Sequence, residues 1–256
     1  MFNSSTLPFQ IKICGLTQPQ HAIDARDAGA DAIGLNFFES SIRYTTEEQA
    51  LLIAASARSK PATPTQAIPQ IVGVFVNHSI DHILQLASSV KLDGIQLHGN
   101  ETVEFFAELQ KAAAECFDPN GQPFFVRALR TQPKNDQLNN DQLNSDLATE
   151  TNRVIEQIQS WSASGVDTIL IDAAATGEFG GTGKSIDWTL LPQFQASSSQ
   201  PLVLAGGLTP SNVGRAIKIA QVKMVDVASG VESTKGIKCP ERVQKFVQQA
   251  RMALPS

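Results

Sequence analysis

The sequence has few cysteines and no long apolar run. Its three cysteines, Cys14, Cys116 and Cys239, lie far apart among 256 residues, and no two of them form a CxxC pair. An odd number of widely spaced cysteines argues against a disulfide framework and against a zinc cluster, so we expect no metal site. No segment reaches the ~18 consecutive apolar residues of a transmembrane helix, so we expect no membrane partner.

Clustered positive charge is also missing. The formal net charge is -5, and no run of Lys or Arg occurs anywhere in the chain. Because a nucleic-acid-binding surface usually shows as a clustered basic face, we expect no nucleic-acid partner. The first ten residues, MFNSSTLPFQ, lack the positive flank and the apolar run of a signal peptide. We therefore expect a cytoplasmic protein.

What the chain does contain is an alternation of short apolar segments with longer segments of helical period. The apolar segments predict eight strands, at residues 11–14, 31–37, 71–76, 93–98, 123–129, 167–173, 201–207 and 224–229. Helices are predicted at residues 19–28, 45–57, 79–90, 101–115, 152–164, 210–220 and 239–253, with a weaker one at 185–191. Thr17 is expected to cap the first of them. Apolar strands separated by helices are typical of a parallel sheet.

Eight such units predict an α/β protein with a closed (β/α)8 TIM barrel. We expect a single domain over residues 1–256, with the barrel at about 10–250. A doubly wound open sheet is the alternative, but it usually has fewer strands. Residues 131–151 are rich in Asn, Gln and Asp and contain the near-repeat NDQLN twice. They predict a mobile polar insertion after the fifth strand.

In barrels of this kind the site lies at the carboxyl ends of the strands. The candidates at the predicted strand ends are Cys14, Asn36, Asn77, His98, Arg127, Asp172, Gly206, Gly207, Ser229 and Gly230. Most of them are polar, as a shared polar pocket requires. The alternation of side chains along a strand also predicts that Lys12, like Cys14, points into the barrel, as a charge that needs partners.

Three glycine-containing segments predict a phosphate site. LAGGLTPSNV (204–213) and VASGVES (227–233) follow the last two strands, and GGTG (180–183) follows the sixth. Glycines let backbone amides approach an anion, and the helix after residue 207, expected to include Thr209 and Pro210 in its first turn, can direct its positive end toward it. The alternative is that the glycines only form tight turns.

Two groups are candidates for proton transfer. Cys14 ends the first strand and Asp172 ends the sixth, so a small substrate fits between a base and an acid, as an isomerisation requires. Cys14 is as well explained by packing. Arg43 suits a carboxylate through its two-pronged geometry, unless it is simply solvated. His98 either binds substrate or caps its turn.

Several motifs resemble one family in order and in spacing. They are KICGLT (12–17), GADAIGLNF with SIRY (29–37 and 41–44), VGVFVN (72–77), IQLHGNE (95–101), LIDA with FGGTGKSIDW (170–173 and 179–188), LAGGLTPSNV (204–213) and VDVASGVESTKGIKC (225–239). Together they resemble the phosphoribosylanthranilate isomerases of tryptophan biosynthesis. Two departures are the long segment 131–151 and Ala228, where many members have serine.

The resemblance implies an Amadori rearrangement of N-(5-phosphoribosyl)anthranilate to 1-(2-carboxyphenylamino)-1-deoxyribulose 5-phosphate. It implies that Asp172 is the general acid, that Cys14 is the general base and that Arg43 holds the anthranilate carboxylate. It also implies that His98 binds substrate, that Gly206, Gly207, Ser229 and Gly230 grip the phosphate and that no cofactor is needed. Members are monomers or homodimers.

Other phosphate-binding barrels are the competing interpretations. An indole-glycerol-phosphate synthase is expected to carry lysine and glutamates at strand ends, and no lysine ends a strand here. A histidine-pathway isomerase is expected to carry an aspartate on the first strand, where this chain has Cys14. A barrel that binds a phosphorylated ligand without converting it is the third alternative.

Overall fold

The structure, a computed structural model, describes residues 7–59, 67–131, 140–173 and 187–255. Eight parallel strands close into a barrel: β1 Ile11–Cys14, β2 Ala32–Asn36, β3 Gln70–Phe75, β4 Gly94–Leu97, β5 Phe124–Thr131, β6 Thr168–Ala173, β7 Leu202–Ala205 and β8 Met224–Val227. Helices α1 Pro19–Asp27, α2 Glu47–Ala57, α3 Ile80–Val90, α4 Val103–Cys116, α5 Asn140–Ala163, α6 Leu191–Ala196, α7 Val213–Ala220 and α8 Pro240–Ala253 connect or follow them. The predicted TIM barrel is confirmed.

Short polar side chains begin several of the helices, as the sequence indicates. Thr46 accepts a hydrogen bond from the backbone N–H of Gln49, whose side chain accepts one from the Thr46 N–H. Such a reciprocal capping box satisfies two backbone donors that the first turn leaves open. Ser79 and Thr102 cap α3 and α4 with one hydrogen bond each, which their side chains accept from the backbone N–H three residues later.

Among the described residues, none of the helices has the length and apolar character that crossing a membrane requires.

Alternation along the strands separates two apolar layers. Ile11 and Ile13 of β1 face outward into the large layer between barrel and helices, whereas Ala32, Val203 and Met224 contribute to a smaller layer inside the barrel. Lys12 lies on the inner face of β1, as predicted, and is fully buried. Its ammonium nitrogen lies 2.8 Å from Oδ2 of Asp226, its register partner on β8.

Several local expectations are wrong. Residues 140–151, expected to belong to a mobile insertion, form the first half of α5. Leu143, Leu147, Thr151, Val154 and Ile158 follow a helical spacing, which is difficult to recognise in so polar a segment. The last three of these residues are buried. The remaining insertion residues 132–139, and the GGTG segment at 180–183, lie outside the described residues.

Two further wrong expectations concern helix starts. Thr17, the predicted cap of α1, instead donates its hydroxyl to the Gly236 carbonyl at 2.8 Å, and Gln18 precedes the helix. Helix α7 begins at Val213, so Thr209 and Pro210 belong to the loop before it. A short hairpin, β9 Glu232–Thr234 and β10 Ile237–Lys238, was not predicted at all. Gly236 turns it with a φ of 83°, which favours glycine.

Arg127 also differs from its expected position at a strand end. Strand β5 continues to Thr131, so Arg127 lies in its middle and points outward, 4.6 Å from the centre of the Trp161 ring. Its Nη1 donates to Glu101 at 2.6 Å, and both side chains are buried. Glu101 also accepts the backbone N–H groups of Asn77 and Gly99. This ion pair therefore joins the loops after β3 and β4 to the outside of the barrel.

Glu101→Leu should lower the free energy of unfolding by about 3–5 kcal/mol, because it leaves the Arg127 guanidinium buried without its counter-charge. Adding Arg127→Met to that variant should recover about 1 kcal/mol or more, since the unpaired charge is then gone. Denaturant unfolding of both variants and of Arg127→Met alone measures the coupling. Strictly additive losses would contradict a buried, mutually dependent pair.

Candidate active site

One cavity opens at the carboxyl ends of the barrel strands. Its lining includes nine of the residues singled out from the sequence: Cys14, Asn36, Arg43, His98, Asp172, Gly206, Gly207, Ser229 and Gly230. Two other strand-end candidates do not line it. Arg127 points away from the barrel interior, and Asn77 links neighbouring loops, its side-chain oxygen accepting the Asn100 N–H at 2.7 Å. The closed ring of parallel strands is what brings side chains from distant parts of the chain to this one opening.

The surroundings of Cys14 depend on two glycines. A Cβ on Gly34, its neighbour on β2, would lie 2.5 Å from the Cys14 sulfur, so only glycine leaves space for the thiol. Gly15 has a φ of 73°, and a Cβ there would lie 2.4 Å from Cδ of Arg43. The turn after β1 therefore lets the Arg43 stem pass directly beside the cysteine.

The charges around Cys14 act in opposite directions. Burial raises the pKa of the thiol above its ordinary value, and the Asp226 carboxylate adds to this, whereas the Lys12 and Lys238 ammonium groups lower it. Burial has the larger influence, so the free protein holds Cys14 as a neutral thiol at neutral pH. A further positive charge in the cavity would favour the thiolate.

Arg43 is held in place by a buried cluster of charges. Its Nε and Nη2 donate to the two carboxylate oxygens of Glu232, at 2.6 and 2.9 Å. Lys238 of the hairpin donates to the same carboxylate at 2.9 Å and to the Ala228 carbonyl, also at 2.9 Å. Burial alone would raise the pKa of Glu232, but Arg43 and Lys238 bring it below its ordinary value. The cluster fixes the guanidinium at the cavity wall.

Asp172 contacts the side chain that follows β4. Its Oδ2 lies 3.4 Å from Nε2 of His98, and Nδ1 of His98 lies 2.8 Å from Nε2 of Gln96. Gln96 is fully buried, and it lines the cavity together with His98 and Asp172. The backbone carbonyl of His98 accepts a hydrogen bond from Arg130 of β5. Adjacent strands β4, β5 and β6 thus assemble this side of the cavity.

Glycines shape the loops after β7 and β8. Gly206 and Gly207 have φ values of 82° and 65°, in the region that favours glycine. A Cβ on Gly230 would lie 1.7 Å from the Leu208 carbonyl oxygen, so the two loops touch through their backbones. Asn212 braces the first loop, accepting the Thr209 N–H and donating to the Gly207 carbonyl. The result is a cavity wall made mostly of main chain.

Four site residues escaped the sequence analysis: Gln96, Asp226, Glu232 and Lys238. A signal existed for two of them. Gln96 lies two residues before His98, so alternation directs both side chains to the same side of the strand. Asp226 places a carboxylate inside the apolar strand MVDV. Glu232 and Lys238 belong to the hairpin, whose contact with Arg43 joins residues 189 positions apart. No local pattern carries that information.

Comparisons of the sequence with known proteins agree on one family. A family model described as N-(5'phosphoribosyl)anthranilate (PRA) isomerase matches residues 11–117 and 140–249. A relative from Acinetobacter calcoaceticus, named N-(5'-phosphoribosyl)anthranilate isomerase, is 36% identical over 240 residues, which are 93% of this chain and 94% of the relative. One from Pseudomonas aeruginosa strain UCBPP-PA14, of the same name, is 37% identical over 242 residues, 94% of this chain and 95% of the relative.

Solved structures give the same result. The phosphoribosyl anthranilate isomerase of Thermotoga maritima is similar with a TM-score of 0.71 and 29% identity, over 95% of this chain and 99% of that one. Another phosphoribosyl anthranilate isomerase, in complex with reduced 1-(o-carboxyphenylamino)-1-deoxyribulose 5-phosphate, has a TM-score of 0.68 and 28% identity over the same shares. The predicted isomerase of tryptophan biosynthesis is confirmed, and the chain belongs to the N-(5'-phosphoribosyl)anthranilate isomerase family.

Proposed function

We propose that this chain isomerises N-(5-phosphoribosyl)anthranilate with Asp172 as general acid and Cys14 as general base. The observation that carries the proposal is that a thiol on β1 and a carboxylate on β6 face one cavity. On the shorter way round the barrel, β7 and β8 separate these two strands. Acid and base therefore approach a bound sugar from different sides, as a proton relocation along one molecule requires.

The proposed reaction moves two protons onto the substrate and two off it. Asp172 protonates the ribose ring oxygen, the ring opens and the bond between carbon 1 and nitrogen becomes a cationic Schiff base. The Cys14 thiol releases its own proton to solvent, and the thiolate then removes the proton from carbon 2. The electron pair passes to the iminium to give an enolamine. In the tautomerisation to the ketone, carbon 1 gains a proton and the hydroxyl on carbon 2 loses one, which restores acid and base.

The substrate itself supplies the positive charge that the half-buried Cys14 thiol needs to ionise. Burial holds the pKa of Cys14 above its ordinary value in the free protein. The Schiff-base cation forms next to the carbon whose proton is removed, and a nearby positive charge favours the thiolate. The base is then activated only after the acid has acted. This order protects a nucleophilic thiol from reaction before the substrate is in place.

Arg43 is the proposed partner of the anthranilate carboxylate. Glu232 occupies one edge of the guanidinium through Nε and Nη2. Among the described residues no side chain pairs with the other edge, whose N–H donors suit a second carboxylate. His98 is a further substrate contact. The backbone around Gly206, Gly207, Ser229 and Gly230 is the proposed phosphate grip, because positive φ values and close loop contact expose amides to an anion.

We also propose a single-domain cytoplasmic enzyme that is a monomer or a homodimer. Cys14, Cys116 and Cys239 are all free, as is usual in a reducing compartment. One structural relative, from Thermotoga maritima, is described as a dimeric enzyme from which monomers were generated. Sedimentation velocity on the purified chain decides between the two states.

Cys14→Ala and Asp172→Ala should each reduce turnover by at least ~100-fold, the usual contribution of a general acid or base. Phosphoribosylanthranilate fluoresces and the product does not, so loss of fluorescence measures the rate. Cys116→Ala and Asp118→Ala, at exposed positions, are matched controls expected to keep the wild-type rate. A near-normal rate in the Cys14 or Asp172 variant would remove the role proposed for that residue.

Arg43→Lys should raise KM by about 10-fold or more and change kcat less, because it keeps the charge but loses the two-pronged contact with a carboxylate. Steady-state fluorescence assays measure both constants. Arg58→Lys, at the end of α2, is the matched control and should behave as the wild type. An unchanged KM in Arg43→Lys would place the carboxylate elsewhere.

Alkylation of Cys14 by iodoacetamide should rise with pH and show a thiol pKa above the ordinary value of a cysteine, since burial favours the neutral form. Cys116→Ser and Cys239→Ser in one background leave Cys14 as the reactive thiol. The same titration on the unfolded chain gives the ordinary value for comparison. A pKa below that value in the folded, ligand-free protein would mean that the thiolate exists before substrate binds.

A further inference from the structure

Gln96 is a polar side chain in a place where an apolar one would pack. It lies on the inner face of β4, is fully buried and lines the cavity two residues before His98. Within the part of the chain that the structure describes, its Oε1 has no hydrogen-bond partner. A buried amide oxygen without a partner lowers stability. Packing therefore does not explain glutamine at this position.

The amide nitrogen of Gln96 does have a partner. It lies 2.8 Å from Nδ1 of His98, while Nε2 of the same ring lies 3.4 Å from Oδ2 of Asp172. A neutral imidazole carries one N–H and one lone pair. If Nδ1 accepts from the amide, the proton of the ring is on Nε2 and faces the carboxylate.

We infer that Gln96 is a positioning residue that holds His98 with its Nε2–H directed at Asp172. The inference rests on the proposed role of Asp172 as the general acid. Once Asp172 has given its proton to the substrate, it is a carboxylate, and a hydrogen bond from His98 stabilises it. In the other tautomer a lone pair would face the carboxylate and repel it. Gln96 thus supports the ring-opening step without touching the reacting atoms.

Two other charged side chains, Arg130 and Glu101, lie near Asp172 and His98. The positive charge of Arg130, on β5, interacts with the Asp172 carboxylate and also with the Glu101 carboxylate. Neither contributes to the contact between Gln96 and the imidazole. The Arg130 side chain instead donates to the His98 backbone carbonyl, which fixes the main chain at this point. The orientation of the ring and the position of its proton are left to Gln96.

The tautomer can be measured without any assay of activity. The chain has four histidines, so 15N-labelled imidazole spectra of the ligand-free protein are simple, and His98→Asn identifies the His98 signals. The expected spectrum is that of a neutral ring protonated at Nε2. A His98 ring protonated at Nδ1 in the wild-type protein would overturn the inference. This result stands apart from the Cys14 and Asp172 variants, which test the proposed acid and base directly.

Gln96→Leu separates a positioning role from a structural one. We expect Tm to be equal to or above that of the wild type, kcat to fall about tenfold, as for the loss of one hydrogen bond to a charged group, and KM to stay within about threefold. His98 should then show a mixture of tautomers. Gln96→Glu, whose carboxylate accepts from Nδ1–H, should move the ring proton to Nδ1.

Gln70→Leu is the matched control. Gln70 begins β3 at the opposite end of the barrel, and its Oε1 is likewise buried without a partner among the described residues. It should keep kcat within about twofold of the wild type. A kcat for Gln96→Leu within the same range, or a His98 signal unchanged in Gln96→Leu, would contradict the positioning role.

Discussion

The pairing of β1 with β8 closes the ring of strands and places Lys12 opposite Asp226 inside the barrel. Moving two charges into an apolar interior is unfavourable, and an apolar pair of similar volume would often be as stable. Asp226 lines the cavity together with Cys14, and both charges of the pair act on the Cys14 thiol. Lys12 lowers the pKa of the Cys14 thiol and Asp226 raises it. The closure of the barrel therefore also sets the environment of the proposed base.

The cavity has two differently built sides. The side near Cys14 is rich in buried charge, with Arg43, Glu232 and Lys238 tied to the loop after β8. The side near Asp172 is built mainly of hydrogen-bonding groups, Gln96 on β4 and His98 directly after it, with the Arg130 guanidinium on the intervening strand β5 nearby. A base that must gain negative charge late and an acid that must lose its proton first need different surroundings. The chemistry proposed for the site requires this asymmetry.

Much of the architecture could be predicted from the sequence because it depends on local pattern. Apolar strands bounded by turn residues, and caps such as Thr46, are readable over a few positions, and the inward direction of Lys12 follows from alternation alone. Arg127 was misplaced because its strand runs two residues beyond the predicted end. The first half of α5 was missed because its helical spacing lies within an Asn- and Gln-rich segment. Glu232 and Lys238 act through a contact that only the closed barrel creates.

The central claim is the placement of one substrate between Cys14 and Asp172, and a crystal structure of this chain with the reduced product analogue tests it most directly. The account predicts the Cys14 sulfur about 3.5 Å from sugar carbon 2, the distance of reacting atoms in a productive complex. It predicts the Asp172 carboxylate at the oxygen on carbon 4, which is the former ring oxygen. The phosphate should lie between the loops of Gly206 and Gly230. An analogue bound with carbon 2 turned away from Cys14, or with its phosphate outside these loops, would contradict the account.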